Sequence, residues 1–399
     1  MKQVSIREIN LFGKTILMRV DLNVPMKEGM ILDDSRIRAI LPTLYYLLEH
    51  NAKVILMSHL GRPKGIYDKK YSLQPVAMRL SELLGQNVTL APDCIGEQVR
   101  IKIAELSPKR VLLLENLRFH LAEENPEKYL SFSEELAGFA DVYVNDAFSV
   151  SHRKHASVYT VPQFFSRNAV AGFLMEKEIT ALSKLINHPK KPFYAILGGS
   201  KISSKIGLIE ALLPKVDGFL LGGGMGYTFL KAQGIEIGKS LCEEGSLEIA
   251  RNILKEAREK DVEIFLPVDV RVAKECKKNV DNFVLNVTEG IPYYLEGLDI
   301  GPLTVNKYAS ILRLAQSVFW NGPLGVYEEP PFNEGSFSIA EVINSLKAFT
   351  VVGGGDALAV LAMSGIGENI SHISTGGGAS LEFIEKGSLP GIDMLSQKK

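Results

Sequence analysis

The stretch V-V-G-G-G-D-A-L-A, residues 351–359, decides how this chain is read. Val351 and Val352 close a β-branched run of the kind that forms a buried strand, and Gly353, Gly354 and Gly355 then turn the chain sharply. Asp356 falls where a helix begins, followed by good helix formers. Glycines at a strand-to-helix junction let backbone N–H groups approach a bound anion, and the helix dipole favours negative charge there. A carboxylate among phosphates repels them unless it holds a metal ion, so the stretch points to magnesium and a nucleotide. A plain tight turn is the competing reading of the same glycines.

The strand–turn–helix rhythm extends outward in both directions. Strands are expected at 16–20, 53–57, 111–114, 141–144, 193–197, 218–221, 263–266, 317–320 and 349–352. Helices are expected at 36–50, 75–84, 97–106, 174–187, 204–213, 244–260, 305–315, 334–346 and 356–363. This alternation means an α/β fold of parallel sheets covered by helices on both faces. Ligands of such sheets sit outside the carboxyl ends of the strands, so the residues just past each strand carry the functional information.

In the first half those ends deliver Asp21 and Asn23, His59 and Arg62, Arg118, and Arg153, with Arg36 at the start of its helix. In the second half they carry glycine and lysine instead: G-G-S-K at 198–201, G-G-G-M-G at 222–226, W-N-G-P at 320–323, G-G-G-D at 353–356 and T-G-G-G-A at 375–379. The segment E-K-E-I-T-A-L-S-K-L-I, ending before Pro189, reads as one helix joining two sheets. Residues 1–172 then form one lobe, 173–188 a connecting hinge helix, and residues from 189 a second lobe.

With 399 residues the chain has room for two or three domains. A net charge of −1 argues against a nucleic-acid or anionic-membrane binder, yet residues 1–170 hold eleven arginines and the remainder four. Forked guanidinium donors suit phosphate and carboxylate, and so many of them imply a ligand with several negative charges. Cys94, Cys242 and Cys276 lie far apart in no metal-ligand spacing, as in a reduced cytoplasmic protein. No apolar run reaches the length of a signal peptide or membrane span.

Two apparent Walker loops fail. Gly13-Lys14-Thr15 and Gly238-Lys239-Ser240 have Glu8 and Gln233 where the first glycine belongs, and no strict G-x-G-x-x-G exists. Lys201 and Lys205, four residues apart on one helical face, would straddle a polyphosphate; a solvated helix start is the plainer reading. His152 and His155 read as a surface helix turn, and Trp320 as core.

R-V-D-L-N-V-P at 19–25, S-H-L-G-R-P at 58–63, L-L-E-N-L-R-F-H at 113–120, G-G-S-K at 198–201, W-N-G-P-L-G-V-Y-E at 320–328 and G-G-G-D at 353–356 together resemble the phosphoglycerate kinase family, in order, over nearly the whole chain. The resemblance implies two Rossmann-like lobes and phosphoryl transfer between ATP and 3-phosphoglycerate. It places the acid at Asp21, Asn23, Arg36, His59, Arg62, Arg118 and Arg153. Mg2+ and ATP or ADP would sit at Lys201, Lys205, Gly222, Gly223, Asn321, Glu328, Gly354, Gly355, Asp356 and Ala357, with Asp356 on the metal. Arg36, Lys201 and the helix starts at Gly355 and Gly378 would surround the moving phosphoryl group. The resemblance further implies a monomer whose last segment, 381–399, returns to the first lobe.

The chain departs from the family's pattern at Ala357, where Thr or Ser is usual, in Ser149-Val150-Ser151 before His152-Arg153, and at Gly226 and Arg271. A nicotinamide-dependent dehydrogenase and a non-catalytic two-lobe anion binder are the rival readings. The first lacks its glycine fingerprint; the second leaves the glycine turns and Lys201 without a purpose.

Overall fold

The computed structural model describes residues 3–397. The chain divides into two compact units, one running to Thr180 and resuming at Ser388, the other Ala181–Gly387.

The first unit is built on six parallel strands. From edge to edge they are Val88–Leu90, Val111–Leu113, Lys53–Met57, Thr15–Val20, Val142–Asp146 and Ala169–Ala171. The register sets Leu17 opposite both Ile55 and Tyr143. Ile16, Met18, Val54, Leu56 and Val144 point into one continuous apolar core, which is why these strands read as near-unbroken β-branched and aliphatic runs. The chain leaves Thr15–Val20 toward one edge and later crosses back to lay Val142–Asp146 on its other side. That reversal opens a crevice at the carboxyl ends of these two strands.

The second unit carries its own six parallel strands, in the order Glu263–Phe265, Gly218–Leu221, Phe193–Leu197, Ser317–Asn321, Phe349–Gly353 and His372–Ser374. Its reversal lies between Phe193–Leu197 and Ser317–Asn321. Trp320, fully buried as its sequence context implied, packs with Ile196, Leu220 and Val352 and gives its indole N–H to Gly322 O at 2.8 Å.

Several elements depart from the sequence reading. The helix expected at 36–50 is two, Ser35–Ala39 and Leu41–Glu49, because Pro42 lacks the N–H that would continue the ladder. An antiparallel sheet of Asp269–Ala273, Asn282–Asn286 and Glu296–Ile300 was not anticipated. G-G-G-M-G at 222–226 is the opening of a helix, Gly223–Ala232. The division between units, by contrast, falls inside the helix Phe173–Asn187, within the 173–188 expected to join the two lobes. The helix Gly378–Lys386 packs on Ile206–Leu212 in the second unit, so the chain rejoins the first unit at Ser388 rather than after 380.

Candidate active site

In the first unit the crevice is lined from the two central strands. Asp21, one residue past Thr15–Val20, receives the Asn23 backbone N–H at 3.0 Å on one oxygen and the Arg36 guanidinium at 2.5 Å on the other. The Ser149 hydroxyl also donates to Asp21. The stretch 149–151, a departure from the family pattern, thus joins the rim. Asn23 Oδ1 accepts Gly61 N–H at 2.9 Å, and Gly61 O accepts from Arg118 Nη1 at 2.7 Å. Arg118 is buried, with its Nε 3.0 Å from Glu124. Arg62 is exposed beside the same turn, and Arg153 is half-buried with Nε 3.4 Å from His152 Nε2.

Beneath this rim lies a buried network that sequence reasoning missed. Arg19 is 1% exposed within its strand; it donates to Ser157 Oγ at 2.8 Å and to Val20 O. Ser157 in turn donates to Glu123, a fully buried carboxylate, at 2.6 Å. Arg19 Nη2 faces His59 Nδ1 at 3.2 Å. An arginine can only donate, so Nδ1 accepts and the His59 proton sits on Nε2. Burial, and then the charges of Arg19, Arg118 and Arg153, hold the His59 pKa well below its ordinary value. His155 is depressed to about 3 by burial and the same guanidinium groups. Neither it nor His152 lies on a surface helix turn, and both are half-buried. The signal for this network was an arginine inside a β-branched strand, where an unpaired charge is prohibitively costly. The result is several fixed cations around a neutral imidazole, an arrangement that selects a small polyanion.

In the second unit the carboxyl ends converge on backbone. A Cβ on Gly198 would lie 1.9 Å from Pro323 O, so only glycine lets these two turns meet. Gly199 N–H bonds Pro323 O, and Gly223 N–H bonds Leu324 O, both at 2.9 Å. Gly222 caps the helix Gly223–Ala232 against Leu324. Lys205 Nζ is buried and donates to Asn321 O at 2.9 Å and to Asn321 Oδ1. Asn321 Nδ2 then holds Gly353 O at 2.7 Å. Asn321 is thereby committed to its neighbours and positions Lys205. Burial lowers the Lys205 pKa to about 8, against the pull of Asp356.

Lys201 is exposed on the loop, whereas Lys205 ends the turn Ser203–Lys205 and the helix proper starts at Ile206. The two lysines therefore do not share a helical face. Gly354, at φ +94°, caps the helix Gly355–Ser364, whose first-turn N–H groups have no partners within the helix. Gly377 does the same for Gly378–Lys386 on the adjacent strand. Asp356 is exposed in the first turn, but Ala357 is fully buried and belongs to the same apolar cluster as Ile196, Val352 and Val360.

Beside these turns a cleft of about 240 Å3 is lined by Gly199, Gly223 and Gly224 together with Leu241, Leu298 and Val326. Tyr327, Glu328 and Asp356 also line it. Val326 lies within W-N-G-P-L-G-V-Y-E, whereas Leu241 and Leu298 come from segments with no motif, so no sequence signal could have gathered those two.

A polyanion rim on one α/β unit, and on another a glycine-lined cleft with a buried lysine among the neighbouring glycine turns, define a two-lobe, nucleotide-dependent phosphotransferase. A family model described as Phosphoglycerate kinase matches residues 6–387. Phosphoglycerate kinases of Chlamydia abortus and Chlamydia trachomatis are each 56% identical over 399 residues, covering 99% of both chains. The solved phosphoglycerate kinase of Coxiella burnetii superposes with a TM-score of 0.91 at 40% identity over 99% of each chain. That of Pyrococcus horikoshii gives 0.83 at 35% identity, over 99% of this chain and 98% of its own. The chain belongs to the phosphoglycerate kinase family.

Proposed function

We propose that the reversible transfer between ATP and the carboxylate of 3-phosphoglycerate is carried by the residues just described. Asp21, Asn23, Arg36, His59, Arg62, Arg118 and Arg153 hold the acid, supported by Arg19 and Glu123 below them. The nucleotide base lies against Gly223 and Gly224, and Glu328 takes the ribose. The phosphates meet Lys205, Lys201 and the helix starts at Gly354–Gly355 and Gly378. The observation that carries this reading is the buried Lys205 ammonium, aimed by Asn321 between the glycine turns.

The residues fit a magnesium ion. Asp356 offers one exposed carboxylate beside the cleft, and a hard cation needs few protein oxygens when phosphates supply the rest. Asp356 would hold it, and its charge would neutralise the phosphate oxygens. No general base is required, because a carboxylate and the ADP β-phosphate are already ionised at neutral pH. The work left to the protein is to fix the two reactants, stabilise the phosphoryl charge and keep water from the acyl phosphate. Arg36 and Lys201 are the cations assigned to the moving phosphoryl group, and turnover by hinge closure follows from the family resemblance.

The same reading makes the protein a cytoplasmic monomer whose partners are small molecules. The near-neutral charge supports small molecules over nucleic acid as partners, and the monomer follows from the family resemblance alone; among the described residues no helix is long and apolar enough to cross a membrane. Incubation with ATP, Mg2+ and 3-phosphoglycerate tests it: ADP release should depend on the acid. Release at the same rate without the acid would overturn the assignment.

A further inference from the structure

We propose that Asp93, Cys94 and His120 bind a first-row divalent cation such as Zn2+, at a site separate from the magnesium–nucleotide cleft. A carboxylate oxygen of Asp93, Cys94 Sγ and a ring nitrogen of His120 all lie within 4.8 Å of one another. Asp93 and Cys94 come after the strand Val88–Leu90, and His120 closes the turn Leu117–Phe119 after Val111–Leu113. Those strands are paired in parallel, so both loops emerge at the same rim. Asp93 and Cys94 are neighbours in the chain but His120 belongs to a later segment, and only the sheet order brings it to them.

The donor set is one sulfur, one nitrogen and one oxygen. Zinc accepts that combination and completes its tetrahedron with water, whereas magnesium prefers oxygen throughout. Without an ion the groups engage their neighbours. His120 Nε2 is 2.5 Å from Asp93 Oδ1, and the Cys94 thiol donates to Glu115 O at 3.0 Å. Ligands about 2.0–2.3 Å from a tetrahedral ion stand roughly 3.3–3.8 Å apart. The carboxylate–imidazole contact must therefore open by about 1 Å and the sulfur close by a similar distance, a side-chain movement.

Access and support are already in place. Asp93 is exposed, His120 is half-buried with its ring packed 5.1 Å from that of Phe132, and Cys94 forms a fully buried floor. Burial, then the charge of Asp93, keeps the Cys94 thiol protonated. Cation binding displaces that proton to solvent and leaves a thiolate ligand.

The position also has a consequence for the acid site. Arg118 lies two residues before His120, and its partner Glu124 four residues after. A cation drawing His120 toward Cys94 moves the segment that aims Arg118. Occupancy therefore raises the KM for 3-phosphoglycerate and leaves that for ATP unchanged. This coupling rests on Arg118 holding the acid; the cation site itself does not.

Cobalt is the probe. Titrated as Co2+ into metal-free full-length protein, it should give a thiolate-to-cobalt charge-transfer band that saturates at one equivalent. The band should vanish in Cys94→Ser and persist in the double variant Cys242→Ser/Cys276→Ser, where Cys94 is the sole thiol. His120→Gln should weaken binding at least about tenfold. No band in the parent, or a band surviving Cys94→Ser, overturns the site. Should Cys94→Ser fail to fold, the double variant still decides, since absence of a band there overturns it equally. Zn2+ that raises the KM for the acid in the parent but not in Cys94→Ser supports the coupling, and an unchanged KM with the cobalt band present overturns the coupling alone.

Discussion

Arg36 pairs with Asp21 at 2.5 Å yet keeps 39% of its side chain exposed, so its charge remains available to a ligand. Its removal should lower kcat by orders of magnitude while leaving nucleotide affinity intact, because nothing of Arg36 belongs to the nucleotide unit. Titration calorimetry with ATP on Arg36→Ala checks this; an equal loss of nucleotide affinity would place Arg36 in the other site. Lys205 permits a different test. Its pKa of about 8 means the free protein loses this cation as pH rises above 8. ATP affinity should then fall by up to about tenfold per pH unit, since binding must restore the proton. Lys205→Met should bind weakly and show a flat profile from pH 7 to 9. The cationic rim was legible because arginines after strands are conspicuous. Ala357 was read as facing the phosphates from its place after G-G-G-D; in the fold it is fully buried in an apolar cluster.

The helix Phe173–Asn187 is anchored by a residue from another element. Asp146, 1% exposed, ends its strand and accepts the N–H groups of Leu174 at 2.9 Å and Met175 at 3.1 Å, while Thr43 Oγ1 accepts that of Phe173 at 2.9 Å. Burial pushes the Asp146 pKa up to about 7, although the Thr43 hydroxyl and the two amides pull it down. An unfolded aspartate titrates near 3.9, so between about pH 4 and pH 7 the folded state binds more protons. Stability from this group is therefore lost as pH rises through that window. The stability difference between the parent and Asp146→Asn should shrink by roughly 1–4 kcal/mol across it. Urea midpoints at several pH values measure the slope, and the opposite sign would mean that Asp146 is ionised in the fold. The central strands of both sheets were readable because burial on two faces leaves continuous apolar runs. Val88–Leu90, Ala169–Ala171 and His372–Ser374 were not, since three residues carry no period. Asn282–Asn286 was missed because its apolar stretch, Phe283-Val284-Leu285, is short and the strand is largely exposed.

At the scale of the whole molecule, both glycine-rich and arginine-rich ends were visible in sequence, while the point at which the chain returns to the first unit was not. The return at Ser388 is set by hydrogen bonds rather than by a composition shift. Gly391 N–H bonds Ser151 O at 2.8 Å, Ser396 N–H bonds Ala169 O at 2.7 Å, and Val4 N–H bonds Ser396 O at 2.8 Å. Leu389, Ile392 and Leu395 are buried there. Truncation after Gly387 should lower the melting temperature of the first unit and spare ATP affinity, which two calorimetric measurements separate; loss of ATP affinity to the same degree would show that the second unit depends on the tail. The return also sets a timetable. During synthesis the first unit leaves the ribosome early but lacks the strip that covers Ala169 and Ser151, and that strip is translated only after all of the second unit. The lobe made first is thus the lobe finished last.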